Sequence, residues 1–165
     1  MAARPLRTAV ALGSNLGDRD AHLRYAIARL RSLLAAPAAS GFIDTAPCGA
    51  AAAGQPRYLN AAVVGWSAAR PAELLARLHE IEDARGRRRP FRHAPRTLDL
   101  DLILMGGLVV STPALEVPHP RFRERRFVLA PLAELAPDLV DPVTGLSVRE
   151  LLARLDSSHA RQASA

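Results

Sequence analysis

PRTLDLDLIL, residues 95–104, sets two aspartates inside an apolar run. Leu98, Leu100, Leu102 and Leu104 alternate with Thr97, Asp99, Asp101 and Ile103, the period-two signature of a strand with one buried face. Successive side chains of a strand point to opposite faces, so the leucines go one way and both aspartates the other. The two carboxylates then share one face, with Cα atoms roughly 6.5–7 Å apart. Like charges at that spacing repel, and aspartate is disfavoured in strands. An acidic solvated face is the plain alternative, but a cation between the two carboxylates relieves the repulsion.

The flanks supply the rest of that chemistry. Arg85, Arg87, Arg88, Arg89, Arg92 and Arg96 fall in one acid-free window just before the strand. Arg121, Arg123, Arg125 and Arg126 form a second cluster, tempered by Glu124. Hard carboxylate oxygens ringed by guanidinium groups suit a magnesium–nucleotide complex, because magnesium takes one or two carboxylates plus substrate phosphates. His119 sits in VPHPR, where prolines on both sides restrict the backbone and hold the imidazole in place to donate to a phosphate. His79 stands three residues before Glu82 on a helix, but HEIE is not the H-E-x-x-H zinc motif. Tyr58 and Asn60 share one face of an alternating strand and offer a ring to stack on and an amide to read donors and acceptors. GSNLGD (13–18) is glycine-bearing, yet it is neither a P-loop nor a dinucleotide fingerprint.

Working outward, TAVALGSN (8–15) reads as a buried first strand. Asp18 caps a helix with apolar positions Leu23, Ile27, Leu30 and Leu34, closed by Pro37. A strand is expected over 39–45, then a loop rich in Ala, Gly and Pro, then a strand over 58–67. Pro71 opens a second helix with a stripe of Leu74, Leu75, Leu78 and Ile81. Residues 108–110 are expected to pair with the Asp-x-Asp strand through the Met-Gly-Gly turn. FVLAPLAELAP and LSVRELLARL supply two short helices, and residues from about 156 to 165 read as a frayed tail. The order β-α-β-β-α-β without repeats or linkers predicts one α+β domain over 1–165, with helices packed on an antiparallel sheet.

Composition narrows the function. All 22 basic residues are arginine, and the formal net charge is +6. Without lysine there is no Walker A loop, no protein-kinase strand lysine and no Schiff-base chemistry. The single cysteine, Cys48, fits a reducing compartment, and the apolar stretch near the N-terminus is too brief for a signal segment, which together point to the cytoplasm. No segment approaches the length of a membrane-spanning helix. The basic balance leaves a nucleic-acid-binding module on a similar sheet as the alternative. Against it stand one tryptophan, two tyrosines and four phenylalanines in all, too few for base-stacking platforms, and an acidic strand face that repels phosphates.

Together, ALGSNLGD (11–18), QPRYLNAAV (55–63), LLARLHEIEDARGRRR (74–89), PRTLDLDLIL (95–104) and VPHPRFRERRFVLAPLAELAP (117–137) resemble the 6-hydroxymethyl-7,8-dihydropterin pyrophosphokinase family of folate biosynthesis. The resemblance spans nearly the whole chain, in order. It implies a ferredoxin-like α+β sandwich and transfer of diphosphate from MgATP to the pterin hydroxymethyl group, releasing AMP. By the same resemblance Asp99 and Asp101 hold two magnesium ions. Tyr58 and Phe127 flank the pterin ring, Asn60 bonds to it, and Thr45 and Cys48 line its pocket. His79 and Glu82 lie near the nucleotide. Arg87 and Arg96 meet phosphates or magnesium-linked oxygens in a catalytic role, with Arg89, Arg125 and His119 on the ATP side. The partners implied are these small molecules alone, acting on a monomer, with neither nucleic acid nor membrane. One departure is local: His93 and Ala94 stand where the family often has tryptophan and glycine.

Overall fold

The computed structural model describes residues 3–47, 53–86, 91–92 and 94–164. The chain runs β1 (Leu6–Ser14), α1 (Arg19–Leu33), β2 (Ala35–Ala39), β3 (Ile43–Thr45), β4 (Tyr58–Ser67), α2 (Pro71–Ala84) and β5 (Asp99–Met105). It continues through β6 (Val110–Ser111), β7 (Glu116–Val117), a 3-10 turn (Phe122–Glu124), α3 (Arg126–Leu135) and α4 (Val148–Ala163). The main sheet has the order β2-β4-β1-β5, with β3 also paired to β4, and every pairing is antiparallel. β5, the strand that carries the aspartates, is therefore an edge.

Helices cover both faces, as expected of an α+β sandwich. On one face Leu23, Ile27 and Leu30 of α1 and Leu74, Leu78 and Ile81 of α2 pack on Val10, Leu12, Leu100 and Leu102. On the other, Val128, Leu129 and Leu132 of α3 and Val148 and Leu151 of α4 pack on Ala9, Ala11, Ala62 and Ile103. Fully burying a leucine contributes about 1.5–3 kcal/mol, so these two layers hold the sheet between them. The helix starts are fixed locally. Asp18 accepts from the Ala21 N–H at 3.0 Å, Pro71 stands in the first turn of α2, and Ser147 caps α4 reciprocally with Glu150.

Four local expectations are corrected. α1 ends at Leu33, before Pro37, which lies inside β2. The single strand expected over 39–45 is two, broken at Ser40–Phe42, where the Ser40 N–H donates to the Ala62 carbonyl. Residues 108–110 do not pair with β5: Val110 and Ser111 pair with Val117 and Glu116. The stretch from 156 is helical rather than irregular: α4 runs to Ala163, and Arg126 is bonded to Asp156 at 2.8 Å.

The period-two pattern of β5 holds as far as Leu102 and then shifts. Ala9 pairs with Leu104 but Val10 with Leu102, which leaves Ile103 as an extra residue in the strand. Leu98, Leu100 and Leu102 face α1 and α2, whereas Leu104 joins Ile103 in the opposite core. The bulge lies beyond the aspartates, so both still share the face that α3 covers.

Candidate active site

Asp99 pairs with Gly13 and Asp101 with Ala11, and the small residues opposite them leave a hollow that α3 does not fill. Ala11, Gly13, Thr45, Tyr58, Asn60, Arg96, Asp99, Asp101, Arg125 and Phe127 line it, and it encloses roughly 880 Å³ with its open mouth included. A second hollow lies along the outer edge of β5, between α2 and the segment after β6. Leu75, His79, Glu82, Leu100, Leu102, Leu115, Glu116 and His119 line it, together with the same two aspartates. Asp99 and Asp101 are thus the shared wall where two hollows meet. The edge becomes available because β7 and the following turn leave it early: the His119 N–H donates to the Ile103 carbonyl at 2.9 Å, beyond the aspartates.

The first hollow combines two aromatic rings with an oriented amide. Asn60, 4% exposed, donates from Nδ2 to Thr45 Oγ1 at 2.7 Å, which fixes the amide's orientation. A Cβ at Gly13 would stand 3.3 Å from Asn60 Oδ1, close enough that the amide would have to yield by a few tenths of an ångström. Tyr58 comes from the start of β4 and Phe127 from the first turn of α3, placing two rings in one cavity. The Arg125 guanidinium carbon lies 5.8 Å from the centre of the Phe127 ring, a cation–π contact.

Electrostatics divide along the shared wall. Arg96 Nη1 donates to Asp99 Oδ2 at 2.7 Å. His119 Nδ1 accepts from the Arg121 N–H at 3.2 Å, which assigns the ring proton to Nε2. Burial, then the nearby Arg125 and Arg121 charges, push the His119 pKa down to about 4 against the opposing pull of Asp99. The imidazole is therefore neutral at pH 7. Its Nε2 stands 4.0 Å from Asp101 Oδ1, so this contact is neither an ion pair nor a hydrogen bond at that pH. What His119 offers is one N–H donor at the meeting point of the hollows.

Thr45, Tyr58, Asn60 and Phe127 come together in the first hollow, and His79, Glu82 and His119 in the second. Arg96 and Arg125, expected on the phosphate and ATP side, line the first hollow beside the aspartates that both hollows share. Cys48, Arg87 and Arg89 lie outside the described residues. Among the described residues no cluster of three or more His, Cys, Asp or Glu could cage a metal. Two hard carboxylates on one face without a third protein ligand fit a cation that takes its other ligands from phosphates.

Two contributors were missed in the sequence. Asn15, 1% exposed, bonds through its side chain to Arg96 and to Gln55, and Gln55 lines the first hollow. The only signal was a polar Ser-Asn pair directly after a fully apolar strand, where a solvated turn is the ordinary outcome.

A family model described as 7,8-dihydro-6-hydroxymethylpterin-pyrophosphokinase matches residues 9–137. The 2-amino-4-hydroxy-6-hydroxymethyldihydropteridine pyrophosphokinase of Bacillus subtilis is 44% identical over 128 residues, 76% of this chain and 75% of that protein. The protein of the same name from Methylorubrum extorquens is 43% identical over 154 residues, 92% of this chain and 95% of its own length. Among solved structures, wild-type HPPK-DHPS of Plasmodium falciparum with pteroate superposes with a TM-score of 0.79 at 11% identity, covering 98% of this chain and 46% of that one. The chain thus spans about half the length of that solved protein, and the likeness shows the fold.

Proposed function

The chain belongs to the 7,8-dihydro-6-hydroxymethylpterin-pyrophosphokinase family, and from that premise we propose that it transfers diphosphate from ATP to the hydroxymethyl group of 6-hydroxymethyl-7,8-dihydropterin, releasing AMP. One observation carries the assignment to these residues: an aromatic, amide-bearing hollow and a second hollow meet at a pair of aspartates. A pterin is flat, with a ring edge rich in donors and acceptors. Tyr58 and Phe127 stack on it, while Asn60, oriented by Thr45, pairs with its edge. ATP takes the second hollow, with its base end towards Leu75, His79 and Glu82 and its phosphates towards His119.

In the transfer the pterin hydroxyl oxygen bonds to the β-phosphorus, the bond from that phosphorus to the α–β bridging oxygen breaks, AMP leaves with the bridging oxygen, and the hydroxyl proton is released. The chain's task is to align the two ends and to neutralise phosphate charge, which needs no strong base. Meeting hollows supply the alignment. Arg96 and Arg125 lie beside the aspartates, within the cavity that takes the attacking hydroxyl, and stabilise charge on the transferring oxygens. Neutral His119 donates from Nε2 to a phosphate oxygen. Asp99 and Asp101 would hold two magnesium ions, which supply further charge neutralisation and phosphate orientation. Arg87 and Arg89 add phosphate contacts by resemblance to the family.

Arginine excess alone favours a polyanion-binding surface, but much of it is locally spent. Arg19, Arg24, Arg57, Arg70, Arg77, Arg121, Arg123 and Arg126 each pair with a carboxylate. No helix among the described residues is long and apolar enough to cross a membrane. Incubation with ATP, magnesium and the hydroxymethylpterin should yield AMP only when the pterin is present. Retention of RNA with no AMP formed would overturn the assignment.

A further inference from the structure

We propose that Asn15 is the positioning residue that keeps the two sides of the site in register, tying the segment of Gln55 and Pro56 to the segment of Arg96. Its consequences for substrates rest on the function proposed above, but the clamp itself is a property of the fold.

Asn15 follows the last residue of β1 and is almost wholly buried. Its own N–H donates to the Arg96 carbonyl at 3.1 Å, and its Oδ1 accepts from the Arg96 N–H at 2.8 Å. Both polar groups of the Arg96 backbone are thereby held, as by one more rung of the β1–β5 ladder beyond Asp99. The other end of the same amide turns to a different segment: Nδ2 donates to Gln55 Oε1 at 3.2 Å and to the Pro56 carbonyl at 3.4 Å. One side chain thus spends its acceptor on one wall and its donors on the other.

The chemistry of the position selects asparagine. An aspartate keeps the acceptor for the Arg96 N–H but sets a carboxylate against the Pro56 carbonyl. An alanine loses both contacts and leaves the Arg96 N–H without its partner. What is held matters to the site on either side. With its backbone pinned, Arg96 delivers its guanidinium to Asp99, while Gln55 faces the cavity that contains Asn60 and Tyr58. Movement of one wall is therefore passed to the other through a single amide.

The two substitutions separate this role from generic support of the fold. In backbone NMR relaxation on the full chain without substrates, Asn15→Asp should lower the order parameters of Gln55 and Arg57 by about a third and leave those of Arg96–Leu98 unchanged, whereas Asn15→Ala should lower both. In steady-state assays Asn15→Asp should raise the pterin KM about tenfold with kcat within about threefold, and Asn15→Ala should also lower kcat at least about tenfold. Equal effects of the two variants on both segments, or unchanged order parameters at Gln55 and Arg57 in Asn15→Asp, would overturn the proposal. Should Asn15→Ala fail to fold, Asn15→Asp against the wild type decides alone. Relaxation needs no substrate, so a wild-type protein that makes no AMP would remove the proposed activity and leave the clamp standing.

Discussion

Arg96 Nη1 lies 2.7 Å from Asp99 Oδ2, with both side chains about one-fifth exposed. A guanidinium thus shares the carboxylate that a divalent cation needs, three residues away along the chain. Any cation approaching Asp99 competes with a charge-assisted hydrogen bond before it gains its own. Arg96→Ala should therefore bind manganese, a paramagnetic stand-in for magnesium, several-fold more tightly in the absence of nucleotide. The same variant should lose diphosphate transfer by about a hundredfold, because a charge near the transferring oxygens is gone. Electron paramagnetic resonance titration reads the first effect and AMP release the second; weaker manganese binding in the variant would disprove the competition.

Neither aspartate belongs to the apolar core on either side of the sheet. Asp101 is one-third exposed, and Asp99 holds Arg96 from a position one-fifth exposed. Asp101→Asn and Asp99→Asn should each change stability by no more than about 1 kcal/mol. Both should lower turnover by about a hundredfold or more. Thermal melts beside single-turnover assays check the separation, and near-normal turnover of either variant in magnesium would remove it from the cation site.

Gly13→Ala tests the floor of the first hollow. The new Cβ would stand 3.3 Å from Asn60 Oδ1 and 3.7 Å from the Tyr58 ring, so the amide must give way. We expect a pterin KM raised roughly three- to tenfold with the ATP KM unchanged, and a stability cost near 1 kcal/mol from crowding. An equal rise in both constants would place Gly13 outside pterin binding.

What could be read in the sequence followed from strict periodicity. Asp99 and Asp101 share a face because period two forces it, and Leu74, Leu78 and Ile81 form one buried stripe because period 3.6 does. The bulge at Ile103 was not readable, since it exists only through the register β5 takes against β1. The helical continuation of α4 past residue 156 was not readable for a related reason: its composition is polar, and Arg126, the partner of Asp156, is distant in sequence. Resemblance supplied Thr45, Tyr58, Asn60 and Phe127 as one group, and the fold brings them into one cavity. Asn15 escaped because its partners, Gln55 and Arg96, lie far along the chain, and no local pattern announces hydrogen bonds between loops.

His119 gives the pH prediction. Its folded pKa of about 4 lies below the ordinary histidine value near 6.5, chiefly because burial disfavours the charged ring. Between those values the unfolded chain binds a proton that the folded chain refuses. The contribution to stability is therefore complete above about pH 6.5 and is lost as pH falls from there towards 4. His119→Gln keeps a hydrogen-bond donor and removes the titration, so it should flatten the acid limb of the stability curve between those values. Activity of the wild type should show no His119 step between pH 6 and 8, since the ring stays neutral throughout. The ring proton resonances, followed by NMR through the acid range, should titrate with a midpoint near 4. A midpoint near 6.5 would mean that His119 is solvated and charged in mildly acidic solution, and its role as a neutral Nε2 donor would fall with it.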